Sequence, residues 1–402
     1  MPVTPADPVV ITGFARTPMG GFQGALAGLS ATALGSAAVK AAVERSGVAP
    51  AKVEAIFMGC VLPAGLGQAP ARQAALGAGL PLSVEATTVN KMCGSGMQAT
   101  IMAHDALLAG TAEVIVAGGM ESMSNAPYLL TKHRSGARIG HDAVKDSMYL
   151  DGLEDAYDPG RLMGAFAEES ARDYRFTRAA QDDYAIESLS RANAAIASGA
   201  FDDEVTPVTV PARRGDARGG DVVVAVDEQP GKARPDKIPG LKPAFAKDGT
   251  ITAANASSIS DGAAALVLTL ASVAARDGMP VRARIVAHAG HAHEPGKFTT
   301  APVPAIRKVL DKAGWAVADV DLFEVNEAFA AVAMIAMHDL GIPREKLNIH
   351  GGATALGHPI GASGARIIAT LVAALERTGG KRGVAALCIG GGEATAIAVE
   401  RD

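Results

Sequence analysis

The stretch TTAPVPAIRKVLDKAGW (299–315), followed by DVDLFEVNEAF (319–329), decides the fold, because a similar passage stands earlier in the chain. Its apolar residues recur at helical spacing up to Gly314, a residue suited to a left-handed helix stop, and a short apolar run then leads into a turn. The earlier passage is TALGSAAVKAAVERSGV (32–48), ending near Gly47, followed by KVEAIFMGCVL (52–62). Gly47 and Gly314 are 267 positions apart, and so are Val53 and Val320.

The same offset carried on from Cys93 lands at Ile360. There CGSGMQATIMAHDALLAG (93–110) meets its counterpart, GHPIGASGARIIATLVAALERTGG (357–380). Both are Gly/Ser-rich turns that open into a helix. Both are followed by a small-residue strand ending in glycines, AEVIVAGG (112–119) and GVAALCIGGG (383–392). Several matches in one register point to duplication of an α/β unit. Residues 120–250 differ in texture. They hold an amphipathic helix, RAAQDDYAIESLSRANAAIASGAF (178–201), and a Pro/Gly/Arg-rich stretch, 205–240. Such an excursion reads as a substrate-covering lid or as a support for oligomers. The expected organisation is a first half from 1–120 plus 250–272, a lid or loop domain over 121–249, and a second half over 273–402.

Composition bounds the function. The chain has 402 residues, more than one core normally serves. Hydrophobic residues make up 49%, aromatics 4%, and the net charge is −5, with no long basic run. That leaves little stacking surface for nucleic-acid bases and no global field for phosphates. No apolar run reaches the length of a membrane span. Cys60, Cys93 and Cys388 form neither a disulfide framework nor a metal spacing, which suits a reducing compartment. The N-terminus has no signal-peptide pattern. A cytoplasmic protein without a membrane anchor is expected.

Four segments carry chemistry. In VNKMCGSGMQA (89–99) a thiol sits at a glycine-rich helix start, where the helix dipole is expected to favour its thiolate; a buried structural cysteine is the plainer reading. In NIHGGATALGHPIGASGAR (348–366), His358 lies on the twin of the Cys93 turn. A pseudo-twofold pairing of the halves brings it near Cys93 as a base. In CIGGGEATA (388–396), Cys388 ends a buried strand ahead of a glycine run whose N–H groups suit an oxyanion. Packing alone would also place a small residue there. In EVNEAFA (324–330), Asn326 serves either to position a water or carbonyl or as a helix N-cap; residue chemistry leaves both open.

Together with MGCVLPAGLGQAPARQAAL (58–76), GGMESMSNAPY (118–128) and KPAFAKDGTITAANASSISDGAAA (242–265), these segments resemble the signature segments of the thiolase family, in order and over essentially the whole chain. The resemblance is closest to the branch that joins two acetyl-CoA into acetoacetyl-CoA. It implies the α/β thiolase fold, a duplicated five-layered α/β/α/β/α arrangement with an inserted lid. It implies an acyl-Cys93 intermediate in a ping-pong reaction, His358 as activator of Cys93, and Asn326 holding a water that completes an oxyanion hole with His358. Cys388 becomes the base that moves the α-proton, and the N–H groups of Cys93 and Gly390 hold the acyl-enzyme oxygen. Ser257, Ala253, Phe245, Met163, Ala328 and Phe329 match positions along the pantetheine arm. Arg218, Lys232 and Arg234 are candidates for the nucleotide phosphates. Coenzyme A thioesters are then substrates, no resident cofactor or metal is expected, and the family forms homodimers or homotetramers.

The chain departs from the family at a few places. Leu162 stands where short-chain members carry a histidine, which motivates the alternative of a longer or branched 3-ketoacyl-CoA substrate. A non-catalytic acyl-CoA-binding relative is a third reading, opposed by the presence of both thiols, His358 and Asn326. His350 lies where asparagine is usual, Glu393 follows the last glycines, and Cys60 reads as structural. His288, His291 and His293 form a histidine-rich tract that is expected to be structural.

Overall fold

Among the described residues nine strands of four residues or more make the framework sheet, distributed as the repeat requires, and the short strand Gly20–Gly21 pairs beside them. The nine are β1 (Val9–Arg16), β2 (Ala55–Gly59), β3 (Glu85–Val89), β4 (Val114–Ser122), β5 (Ser260–Leu270), β6 (Ala283–Ala292), β7 (Leu322–Val325), β8 (Arg382–Ile389) and β9 (Glu393–Glu400). The computed structural model describes residues 6–212 and 220–402. In the first half the order is β3-β2-β4-β5-β1, with β2 parallel to both neighbours and the rest antiparallel. In the second half β7 runs parallel to β8, and β9 and β6 follow antiparallel. The pattern is the same, except that the counterpart of β3 shrinks to one bridge, Phe323 to Leu347. The halves meet where β1 pairs with β6 through Val10 to Arg284 and Ile11 to Ala283.

The principal helices are α1 (Ala31–Ser46), α2 (Pro70–Gly77), α3 (Ser95–Leu108), α4 (Met163–Asp173), α5 (Arg178–Ala197), α6 (Pro302–Ala313), α7 (Ala330–Leu340) and α8 (Ser363–Thr378). The helix read from 299 begins at Pro302, because proline suits the first helical turn. The strand read over 52–62 is confined to Ala55–Gly59. Gly47 and Gly314 end α1 and α6 in the left-handed conformation, at φ 70° in both cases.

The period-two alternation of the strands sorts side chains into separate cores. On β5, Ala263, Ala265 and Val267 join the core under α1 and α2, while Ala264, Leu266 and Leu268 face the opposite one. On β8, Ala385 and Leu387 face the middle, while Val384, Ala386 and Cys388 face the core under α6 and α7. The middle layer holds α3 and α8. The stack is therefore α/β/α/β/α. Each fully buried Leu or Ile in these layers contributes about 1.5–3 kcal/mol of burial.

The two middle helices touch almost backbone to backbone, and this brings the Cys93 and His358 turns together. A Cβ on Gly364 of α8 would lie 2.3 Å from the backbone nitrogen of Met97 on α3. One on Gly119 would lie 2.0 Å from the carbonyl oxygen of Gly361. Gly364→Ala is expected to cost about 1–3 kcal/mol by overpacking. Calorimetry should show a lowered unfolding temperature, and an unchanged one would mean the helices do not approach this closely.

Between Ser122 and Ser260 the chain leaves the framework sheet and, among the described residues, forms two short hairpin pairings of its own. Thr177 caps α5 by accepting from the Ala180 N–H at 3.1 Å. The buried carboxylate of Glu327 ties that helix to the second half, accepting from Tyr184 Oη at 2.9 Å, Ser188 Oγ at 2.8 Å and Asn348 Nδ2 at 2.9 Å. Among the described residues no helix is long and apolar enough to cross a membrane.

Candidate active site

The nucleophile candidate is presented by a strained turn. Met92 has φ 45°, an uncommon value for a side chain of its size. Ser95 braces the turn: its Oγ accepts from the Lys91 N–H at 2.9 Å and donates to the Met92 carbonyl at 2.6 Å. α3 starts at Ser95, two residues beyond Cys93. The thiol thus stands just ahead of the helix start, as the sequence predicts, and burial there opposes the thiolate. Burial pushes the Cys93 thiol up to about 11, against the pull of the Gly390 N–H directed at its sulfur, and the Glu121 charge pushes it the same way as burial. The resting group is a neutral thiol.

A cavity of ≈ 360 Å³ opens on Cys93 and is also lined by His358, Cys388 and Gly390. Its walls are mostly apolar. They include Met163, Phe245, Ala253, Ser257, Ala328 and Phe329, so the six residues matched to the pantetheine arm all lie on one wall system. Phe245 packs edge-on to Phe329, with ring centroids 6.0 Å apart. Ser257 Oγ donates to the Ala328 carbonyl at 2.9 Å. Leu162 also lines the cavity. A pocket of this size and character suits a small ligand held by apolar contact and a few polar groups.

His358 is buried, and burial together with the Arg366 charge lowers its pKa to about 3. The imidazole is therefore neutral, and its tautomer follows from its neighbours. Ser363 Oγ donates to the Pro359 carbonyl at 2.9 Å, so its single hydrogen is spent. It must accept from His358 Nδ1–H, 2.5 Å away. That leaves Nε2 unprotonated, its lone pair able to take a proton, with Asn326 Nδ2 3.4 Å away.

Cys388 is 1% exposed. Its thiol is pushed well above its ordinary value, first by burial and then by repulsion from an ionised Cys93. The two thiols do not ionise together. Asn326 does not line the cavity but stands behind His358, with Nδ2 3.4 Å from each ring nitrogen. The N-cap alternative fails, because α7 starts at Ala330 with Phe329 at its cap.

Glu121, Ser363 and Arg366 also shape the site, and sequence reasoning missed them. Glu121 accepts from the backbone N–H groups of Val61 at 2.9 Å, Leu62 at 3.1 Å and Gly361 at 2.9 Å, and so pins the His358 turn to the first half. Burial nonetheless raises its carboxyl to about 7. Cys60, buried beside it, lies 3.7 Å from its Oε1 and takes no part in the cavity. Glu393 pairs with Lys91, which bridges the halves beside the nucleophile turn. His350 packs edge-on against Phe201 at 5.9 Å, away from the cavity lining.

The histidine tract separates. His288 and His104 each meet Asp105 Oδ1 at 2.9 Å. His291 and His293 stack edge-on at 5.0 Å. Of the phosphate candidates, Lys232 and Arg234 line a second cavity, together with Lys237. That cavity shares Ala253 and Ser258 with the first. Arg218 lies outside the described residues.

Comparison with known proteins agrees with this geometry. Residues 9–272 match the thiolase N-terminal domain and residues 279–401 the thiolase C-terminal domain. A protein of Arabidopsis thaliana named acetyl-CoA acetyltransferase 2 is 51% identical over 99% of this chain and 98% of its own length. An acetyl-CoA acetyltransferase of Thiocystis violacea is 48% identical over 98% of this chain and all of its own. The crystal structure of the Bacillus anthracis acetyl-CoA acetyltransferase superposes with a TM-score of 0.94 at 41% identity, each chain covering the other completely.

Proposed function

Because the chain belongs to the thiolase family of acyltransferases, we propose that it catalyses the reversible condensation of two acetyl-CoA to acetoacetyl-CoA and CoA. The observation that carries this reading is the convergence of two thiols, a neutral imidazole and the Gly390 N–H on one cavity. In the first half-reaction Cys93 Sγ attacks the thioester carbonyl carbon while its proton passes to His358 Nε2. The C–S bond to coenzyme A breaks, and the departing sulfur takes up a proton. The carbonyl oxygen is held by the N–H groups of Gly390 and Cys93.

The second half-reaction needs a base for the α-proton of a second acetyl-CoA. Acetylation removes one group whose ionisation opposes that of Cys388, while burial remains the larger cause of its raised pKa. Cys388, lining the same cavity as the loaded Cys93, is placed to act as that base. The carbanion formed attacks the acetyl carbon, and Cys93 leaves as the sulfur group. Cys388→Ala should still accept one acetyl group from acetyl-CoA, yet condense it at least about 10²-fold more slowly. Equal losses in both half-reactions would remove Cys388 from the second one.

A second reading rests on Leu162, whose apolar side chain lines the cavity where short-chain members carry histidine. It favours longer or branched 3-ketoacyl-CoA thioesters. Comparing cleavage of acetoacetyl-CoA with that of 3-ketohexanoyl-CoA separates the readings, and a strong preference for the longer chain displaces the first. Lys232, Arg234 and Lys237 are proposed to meet the coenzyme A phosphates, since their cavity adjoins the catalytic one. The reaction needs no resident cofactor. Three free cysteines accord with a cytoplasmic setting. The half-exposed edge strand β3, at the end of the sheet, offers a pairing edge for a homodimer, with a homotetramer as a further assembly.

A further inference from the structure

We propose that Arg366 is a positioning residue that fixes the orientation of the Asn326 amide for the condensation step; this rests on the reading, implied by the family resemblance, that Asn326 holds a water completing an oxyanion hole with His358, and takes that hole to serve the oxygen of the second acetyl-CoA. Arg366 sits on α8, 1% exposed, among Ala365, Ile367, Ile368 and Ala369. Placing a guanidinium in such surroundings is costly, and a group kept only for stability would be expected to have its hydrogen-bonding capacity filled. Here it is not. Among the described residues Nε and Nη1 make no hydrogen bond, and the nearest carboxylate, Glu324 Oε2, is 3.6 Å from Nη1. Its hydrogen bond runs from Nη2 to Asn326 Oδ1, at 3.2 Å.

That one contact has a chemical consequence. A primary amide has nearly the same shape when turned by half a rotation, so packing alone does not choose between its two ends. A guanidinium only donates, and it therefore accepts nothing but the oxygen end beside it. Nδ2 is then turned toward His358. On that side a donor strengthens the holding of a negatively charged oxygen, whereas a carbonyl oxygen there repels it. Arg366 thus acts through Asn326 and not on substrate. Glu324 is the carboxyl nearest Arg366, and burial raises it to about 8 in spite of the attraction of Arg366.

The test reads the two half-reactions separately, as acetylation of Cys93 and as condensation of the acetyl-enzyme. Arg366→Met is combined with Glu324→Gln, which removes the ionisable carboxyl beside it, so that loss of the donor is read without a change in Glu324 protonation. This variant should acetylate within about threefold of the parent, while condensation kcat falls at least about 30-fold with KM within about threefold. Arg366→Lys, which still donates, should recover part of the loss. In an Asn326→Ala background, Arg366→Lys should change condensation by less than about twofold, because the group it acts through is gone. Multiplicative losses in that background, or equal slowing of both half-reactions, overturn the proposal. If Asn326→Ala alone leaves condensation intact, the reading of Asn326 fails, and the role of Arg366 with it.

Discussion

Serine in place of Cys93 stops acyl transfer, with turnover reduced at least about 10³-fold and the fold intact. The substitution exchanges one atom for a smaller one at a half-buried site, so packing changes little. The chemistry changes at both ends of the reaction. An alcohol ionises far less readily than a thiol, and the Gly390 N–H that faces the sulfur does not make up that difference. An alkoxide is also a much poorer leaving group when the carbanion attacks in the second half-reaction. Both half-reactions therefore slow together, unlike in the Cys388 variant. Retention of full activity by Cys93→Ser would falsify every catalytic role proposed for this cavity.

Replacing His358 with Asn is the second large effect, expected at about 10²–10⁴-fold in turnover. The reason lies in the two resting protonation states. Cys93 is a neutral thiol, pushed up to about 11, and His358 is a neutral base, lowered to about 3. A stored thiolate–imidazolium pair is not the resting form, so the proton moves as the sulfur attacks. The sign of the pH dependence follows. A raised thiol pKa means the thiolate fraction grows as pH rises, and alkylation of Cys93 by iodoacetamide should climb about tenfold per pH unit across the neutral range without a plateau. A plateau near neutral pH would indicate a preformed ion pair instead. Asn at 358 leaves the alkylation slope in place while removing the proton acceptor for acyl transfer.

The repeat was readable from sequence because it is written in local signals. Gly47 and Gly314 stop corresponding helices, and the small residues around Gly96 and Gly364 mark turns that must approach closely. The residues that carry chemistry lay at those turns and in the glycine run after Cys388. What escaped depends on long-range packing. Burial of the Cys93 thiol, which raises its pKa, depends on the folded packing around the turn and leaves no mark in the local sequence. Asn326 was ambiguous because an amide before a helix fits both roles until its partners, His358 and Arg366, are placed. Glu121 and Ser363 lay inside segments already singled out, yet their functions are contacts across the interface of the halves or within the folded turn. Arg366 left a usable trace: one arginine in the apolar run GARIIATLVAAL (364–375) signals a buried charge with a partner.

The central claim is an acyl group carried on Cys93. Incubation with acetyl-CoA followed by quenching, proteolysis and mass spectrometry tests it most directly. The account predicts one acetyl group, on the peptide containing Cys93, removed when free coenzyme A is added. An enzyme that turns over but never carries that group, or carries it on Cys388 or another residue, contradicts the account.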